Sequence, residues 1–380
     1  MTGDPTLRAL FVDEGVLGGE TLMTQLRSGL SNETQVEATF ATVPPGNRLE
    51  RLLLRRFERI GHADMQMLRW RLRWSWHARR LLERQLGQTD VALINTPASA
   101  LLSAGPMRRL PCVLSVDATA RQYAALGYGG ARDRWTGTQE KMLFALERRA
   151  IAGAAGVIAL TEWNADALRR EHGLPAERLV TLHPGLDANW WSQAAGRRSH
   201  RREGPLRILF VGNDVRRKGL ATLRNAVERL GDAVELDVAT GDDVEPGPRL
   251  HVHHGLSIQS DGMRDLYERA DVFALPTEAD AVPWVVLEAM AAGLPVVASD
   301  VGAIGELIDG CGELVRPGDV DGLAAALERL ADAPDRGRAL GERALDRVRE
   351  RYDRTRQVPL LLDVLRAAAA GGPLPVQVGS

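Results

Sequence analysis

The chain has 380 residues, more than one hydrophobic core usually organises, so two domains of roughly 150 to 200 residues are expected. Apolar residues make up 44% and charged residues 26%, which excludes a mostly disordered chain, and a formal net charge of −2 gives no reason to expect a polyanionic partner. Only two cysteines, Cys112 and Cys311, stand far apart, which excludes a disulfide framework or a cysteine-built zinc site and fits a reducing cytoplasm. No window approaches about 18 uninterrupted apolar residues, and Met1 to Pro5 reads as too polar for a signal peptide, so a cytoplasmic location is expected.

Short apolar or β-branched runs alternate with helical patterns, the signature of βαβ units on parallel sheets. In the first half, strands are predicted at Leu7–Val12, Val36–Thr42, Asp90–Ile94, Cys112–Val116, Gly156–Leu160 and Leu179–Leu182, with helices such as Gly19–Leu30 and Arg134–Ala152 between them. The alternation restarts with strands at Leu206–Val211, Val234–Val238, Leu250–Val252, Val272–Leu275, Pro295–Ala298 and Glu313–Val315. The expected organisation is a domain over 1–195, a polar linker over 196–205 and a second domain over 206–355. A C-terminal helix over 356–370 is placed on the first domain, and a patternless, disordered tail over 371–380 closes the chain. Two doubly wound, Rossmann-like sheets would then face each other across a cleft, with ligands at the carboxyl ends of the strands.

Charge is unevenly spread. Residues 1–200 carry 26 basic against 20 acidic side chains, and the remainder 22 against 30. Within 48–85, eleven arginines stand against Glu50, Glu58, Asp64 and Glu83, interleaved near the end with Trp70, Trp74 and Trp76. One reading is an amphipathic helix on anionic lipid; the other packs the Trp/Leu face on the first sheet with arginines in water. The acidic second half argues against nucleic acid. Of 48 basic residues only Lys141 and Lys218 are lysine, so each invites a question.

Gly18 and Gly19 follow the first strand, just before a helix predicted near Glu20, where free N–H groups favour a phosphate; a tight turn explains the pair about as well. No GxxxxGK[ST] and no well-placed GxGxxG is present, which weakens P-loop and dinucleotide readings. The segment FVGNDVRRKG (210–219) brings Arg216, Arg217 and Lys218 to a strand-to-helix turn, as a phosphate contact or a solvated basic turn. In 271–308, a buried strand leads to a loop with Glu278 and Asp280, and a helix begins near Trp284 with Glu288 in its second turn. Two carboxylates so placed can accept sugar or ribose hydroxyls, or be a capping acid and a surface acid.

Asp280, seven residues, Glu288-Ala289-Met290, then Gly293-Leu294-Pro295-Val296-Val297 and Gly302 to Glu306 form a connected pattern. It resembles the retaining nucleotide-sugar glycosyltransferases of family 4, which have the GT-B fold. The similarity is strong over 206–353 and reaches back through LHPGLD (182–187) to much of the first half. The resemblance implies that Lys218 binds the donor diphosphate, that Glu288 holds the nucleotide ribose, and that Asp280 faces the donor sugar. Gly18 and Gly19 match the glycine loop near the phosphates, and Asn213, Arg217, Val282 and Pro283 fall among the donor-contacting positions. Three departures stand out. Asn213 replaces the family arginine, Asp280 shortens the family glutamate, and Asp117 occupies the place of a family histidine, leaving Asp117, Lys218 and Asp280 as the implied catalytic set.

The resemblance implies retaining transfer of a sugar from a nucleoside diphosphate donor, UDP- or GDP-linked, to a hydroxyl acceptor, with no metal and no cofactor. Anionic membrane is a further expected contact, through 48–85. An epimerase or phosphorylase on the same scaffold, or a non-catalytic nucleotide-sugar binder, stays open at this point.

Overall fold

A computed structural model describes residues 6–15, 18–54, 65–128, 134–197 and 204–375. By contacts the chain forms two units: one from the N-terminal residues to Gly185 plus everything from Arg354 onward, the other Leu186–Asp353.

The first unit holds β1 (Leu7–Asp13), α1 (Gly18–Leu30), β2 (Val36–Thr42), α2 (Arg48–Leu53), α3 (Gln66–Gln85), β3 (Val91–Asn95), β4 (Cys112–Val116), α4 (Ala120–Ala125), α5 (Arg134–Gly153), β5 (Gly156–Ala159), α6 (Glu162–His172) and β6 (Leu179–Thr181). Its six strands pair in parallel in the order β2-β1-β3-β4-β5-β6. Val91–Asn95 and Cys112–Val116 are buried at every position because helices cover both faces, which is why they read as continuous apolar runs. The edge strand β2 is largely uncovered and alternates instead.

The second unit holds α7 (Ala188–Arg197), β7 (Leu206–Val211), α8 (Leu220–Leu230), β8 (Val234–Ala239), β9 (Leu250–His253), α9 (Asp261–Arg269), β10 (Val272–Leu275), α10 (Trp284–Ala291), β11 (Val296–Ser299), α11 (Ile304–Leu307), β12 (Gly312–Val315), α12 (Val320–Asp332) and α13 (Pro334–Arg351). The order is β12-β11-β10-β7-β8-β9, again parallel throughout. Each sheet reverses its winding once, between β1 and β3 in the first and between β7 and β10 in the second. Strand-end loops diverge at these two points, where doubly wound sheets take ligands.

Several boundaries differ from the expectation. The first unit ends at Gly185, not 195, because α7 seats Trp191 against Tyr267 of the second unit, with ring centroids 4.8 Å apart. The span expected as linker is helical up to Arg197, and 198–203 lie outside the described residues. The second unit ends at Asp353, and α14 (Arg354–Ala369) belongs to the first, where it buries Val358, Leu361, Leu362 and Leu365. A Cβ on Gly29 of α1 would come 2.7 Å from Val358, so that glycine admits α14 closely.

The tail is also placed as far as residue 375. Leu374 is buried, donates its N–H to Glu177 O at 2.8 Å and lies over Gly156, whose missing side chain makes the room. Residues 376–380 lie outside the described part, as do 55–64 of the basic stretch. Among the described residues no helix is long and apolar enough to cross a membrane.

Candidate active site

In the second unit the site is assembled at the β7/β10 switch point. The chain leaves β7 through Gly212, where a Cβ would meet Lys218 Cδ at 2.4 Å, so the lysine stem lies across the glycine. Asp214 adopts φ 57° and its carbonyl accepts the Lys218 N–H at 3.0 Å, closing a tight turn before α8. Gly219, at φ 79°, ends that turn with its Cα against Pro276 O, leaving no space for a side chain. This close approach locks the loop after β7 onto the loop after β10.

The result is a charge cluster. Lys218 Nζ donates to Asp280 Oδ2 at 2.9 Å, and both side chains are only 12% exposed. Arg217 donates from Nε to Asp214 Oδ2 at 2.7 Å and from its guanidinium to Ala279 O at 2.5 Å, 3.6 Å from the same Asp280 oxygen. Gly302, at φ 57°, packs against Asp280 O, and Ala303 N donates to Ala281 O at 2.9 Å. The backbone that carries the carboxylate is therefore braced from the β11 side.

Glu288 stands in the second turn of α10, buried, and accepts from Tyr267 Oη at 3.2 Å. Burial pushes its carboxyl up to about 7, against the pull of the tyrosine hydroxyl and the Lys218 charge. Tyr267 is itself enclosed, edge-on to Trp191 and stacked at 6.2 Å on Phe273. Neither acid is a surface acid. The structure brings Arg217, Lys218 and Asp280 into direct contact, with Glu288 within the field of Lys218. Val282 is buried and Pro283 opens α10 just beyond Asp280. Asn213 turns away, its Oδ1 accepting from Gly241 N at 2.8 Å.

The first unit carries a second constellation, at the β1/β3 switch point. Asp13, the last residue of β1, accepts from Gly15 N at 2.8 Å and from Asn95 Nδ2 at 3.0 Å. A Cβ on Gly19 would fall 2.5 Å from Asp13 Oδ1, so that glycine lets the first turn of α1 sit on the strand ends. The helix begins at Gly18, one residue before the predicted Gly19–Leu30, which puts both glycines inside its first turn.

Glu14 is buried and accepts from Ser99 Oγ at 2.9 Å and Thr96 Oγ1 at 3.2 Å. Burial, with the charge of Asp13, pushes its carboxyl up to about 8. Thr96 holds φ 62°, a costly conformation for a β-branched residue, and it directs its hydroxyl to that carboxyl.

Asp117 follows β4, half-buried, and accepts from Tyr123 Oη at 2.5 Å and from Ala118 N at 2.9 Å. Burial raises its carboxyl against these hydrogen bonds, and the charge of Arg71 pulls the other way. A capping box, Thr119 with Gln122, starts α4 and so fixes Tyr123 over Asp117. Glu14, Tyr123, Arg71 and Tyr267 did not stand out in the sequence. An acid directly after a buried strand was the one signal that could have singled out Glu14.

Two six-stranded parallel sheets, each covered by helices and each carrying acids at its switch point, define a two-domain α/β protein of the GT-B type. The chain belongs to the GT-B glycosyltransferases: residues 16–190 match the family model Glycosyltransferase Family 4, and 205–333 match Glycosyl transferases group 1. Among curated relatives is the MMP alpha-(1->4)-mannosyltransferase of Mycolicibacterium hassiacum, 29% identical over 55% of this chain, which spans about half (52%) of that protein's length. Among solved structures, sucrose-phosphate synthase from Thermosynechococcus elongatus matches with a TM-score of 0.71 at 18% identity, over 95% of this chain and 100% of its own. Anabaena HepE in complex with UDP-glucose matches with 0.65 at 16%, over 94% and 99%. At these identities the structural matches speak for the fold.

Proposed function

We propose that the chain transfers a glycosyl group from a nucleoside diphosphate sugar to a hydroxyl acceptor, with retention at the anomeric carbon. The observation that carries this reading is the Lys218 Nζ–Asp280 Oδ2 pair, 2.9 Å long, at the switch point of the second sheet. A diphosphate competes with a carboxylate for the same ammonium. Lys218 then takes the phosphate oxygens beside the amino end of α8, and Asp280, released, accepts hydrogen bonds from the donor sugar. Glu288 accepts those of the ribose, and contact with hydroxyl donors favours its ionised form. Asp117 is the acid offered to the acceptor hydroxyl in the first unit.

In the reaction, the bond from the anomeric carbon to the diphosphate oxygen breaks and the acceptor oxygen bonds to that carbon. The acceptor's proton passes to the departing diphosphate, so the step balances without a separate base. Lys218 stabilises the charge that develops on the leaving group, the main electrostatic demand of the step. A UDP- or GDP-sugar is the proposed donor; the Anabaena structure named above holds UDP-glucose.

A thermal-shift panel of UDP-, GDP-, ADP- and TDP-sugars tests the donor class, since a ligand at 100 times its Kd stabilises by about 2.7 kcal/mol. Anomeric configuration of the product by NMR then tests retention. No stabilisation by any donor would sink the reading, and turnover without acceptor would mark an epimerase instead.

A further inference from the structure

The first unit contains an open pocket of about 850 Å³ between the loop after β1, the loop after β2 and α3. Its lining includes Glu14 and, from α3, Trp70, Arg71, Arg73 and Trp74. Trp70 and Trp74 are one helical turn apart, both half-buried, with ring centroids 6.2 Å apart at 43°. Both line one cavity, Trp70 with the Arg73 guanidinium 5.8 Å from its ring and Trp74 backed by the first unit's core. Aromatic rings receive the C–H side of a carbohydrate ring, which buries apolar area while its hydroxyls stay available for hydrogen bonds.

The two arginines differ in what they touch. Arg73 is committed to the scaffold: it donates to Glu50 Oε2 at 3.1 Å and to Pro44 O at 2.7 Å, tying α3 to the 44–50 segment. Arg71 lies over the Tyr123 ring at 5.7 Å, and among the described residues no carboxylate comes within ion-pair distance of it. The acid whose field it feels, Asp117, is held by Tyr123 Oη. A guanidinium with its fork unspent, backed by an aromatic ring and open to a cavity, suits a planar or tetrahedral oxyanion. Glu14, the acid in the lining, is kept largely neutral around pH 7 by its burial and so does not repel an anion.

We propose that this pocket receives the acceptor as an anionic polyol, its ring laid against Trp70 and Trp74 and its phosphate or carboxylate gripped by Arg71. The inference rests on the reading that the first unit takes a hydroxyl acceptor, and it narrows that acceptor to molecules bearing both hydroxyls and a negative group.

The test is calorimetric binding of glucose 6-phosphate, glucuronate and glucose to the full chain, its Arg71→Gln and Trp70→Leu variants, with UDP titrated in parallel. The two anions are expected to bind at least about ten-fold more tightly than glucose, and the preferred one identifies the negative group. Arg71→Gln should erase that preference, a loss of about 10- to 150-fold, while glucose and UDP bind as before. Trp70→Leu should weaken all three sugars together and leave UDP binding unchanged. Equal affinity for the three sugars, no measurable binding of either anion, or an Arg71→Gln protein that keeps the preference would overturn the proposal. A wild-type chain that fails to bind UDP would count against the donor reading and leave the anion comparison readable on its own.

Discussion

Lys218 and Asp280 are each other's main charge partner in a nearly closed environment, and removing either leaves the other to face burial without its counter-charge. Lys218→Ala and Asp280→Asn are each expected to lower the melting temperature, and the double variant to fall short of the sum of the two losses. In the same proteins Lys218→Ala should weaken UDP binding by about 10- to 150-fold, the loss of one charge-assisted contact worth roughly 1.5–3 kcal/mol. Additive melting shifts with unchanged UDP affinity would place the functional cation elsewhere. Glu288 poses a different question, because burial pushes its carboxyl up to about 7 against the Tyr267 hydroxyl and the Lys218 charge, which both pull it down. Tyr267→Phe removes a hydrogen bond to the charged form, so the pH at which UDP-sugar binding is half-maximal should move upward. A flat pH profile in both proteins would mean that Glu288 does not titrate in binding. Glu288 was legible from its place in the Glu-Ala-Met pattern. Tyr267 was not, because a tyrosine 21 residues upstream on an amphipathic helix reads as ordinary core, and only the packing shows where its hydroxyl goes.

At the level of elements, each switch point is closed by a side chain bridging two strand-end loops: Lys218 to Asp280 in one sheet, Glu14 to Ser99 and Thr96 in the other. The Glu14 bridge carries a pH signature. Its carboxyl binds a proton more tightly in the folded protein, about 8, than in the unfolded chain, 4.5. Its contribution to stability is therefore complete below about pH 4.5 and is lost as pH rises through 8. Glu14→Gln keeps the shape and removes the titration, so its melting temperature relative to wild type should climb from about pH 5 to about pH 9. A constant difference would mean that Glu14 is ionised throughout.

The strands themselves were largely legible, because burial on both faces demands unbroken apolar runs; Cys112–Val116 and Val272–Leu275 fall where predicted. Helix α3 was half legible. Trp70 and Trp74 both line the pocket, Trp74 packing also on the first unit's core, while Trp76, 42% exposed with Arg80 over its ring, points away. Periodicity could not sort these three rings between cavity and water. Of the three tryptophans of this helix Trp76 is the exposed one, so Trp76→Ser should reduce sedimentation with anionic vesicles at low salt more than Trp70→Leu does. Equal recovery with neutral and anionic vesicles would remove the membrane from the account.

For the whole molecule, the alternation of strands and helices announced two doubly wound units and the return of the chain to within two residues, but it placed the first crossing ten residues too late. The true crossings, Gly185 to Leu186 and Asp353 to Arg354, lie inside segments with no break in composition. A Cβ on Gly185 would sit 2.9 Å from Arg354 Cα, so only a residue without a side chain fits where α14 begins. A fragment of residues 186–353 contains every strand of its sheet and is expected to melt cooperatively alone. A chain cut after Asp353 leaves Leu22, Leu26, Leu93 and Ile158 of the first unit without the helix that covers them, and should aggregate. A soluble truncated chain with one sharp transition would show that the first unit closes without α14. This return of the chain also sets an order of events during synthesis. The ribosome finishes the whole second unit while the first still lacks α14, so a segment made in the opening seconds of synthesis waits, partly uncovered, for one made about 170 residues later. Until Leu361 and Leu365 emerge, the apolar groove they cover stays open to water.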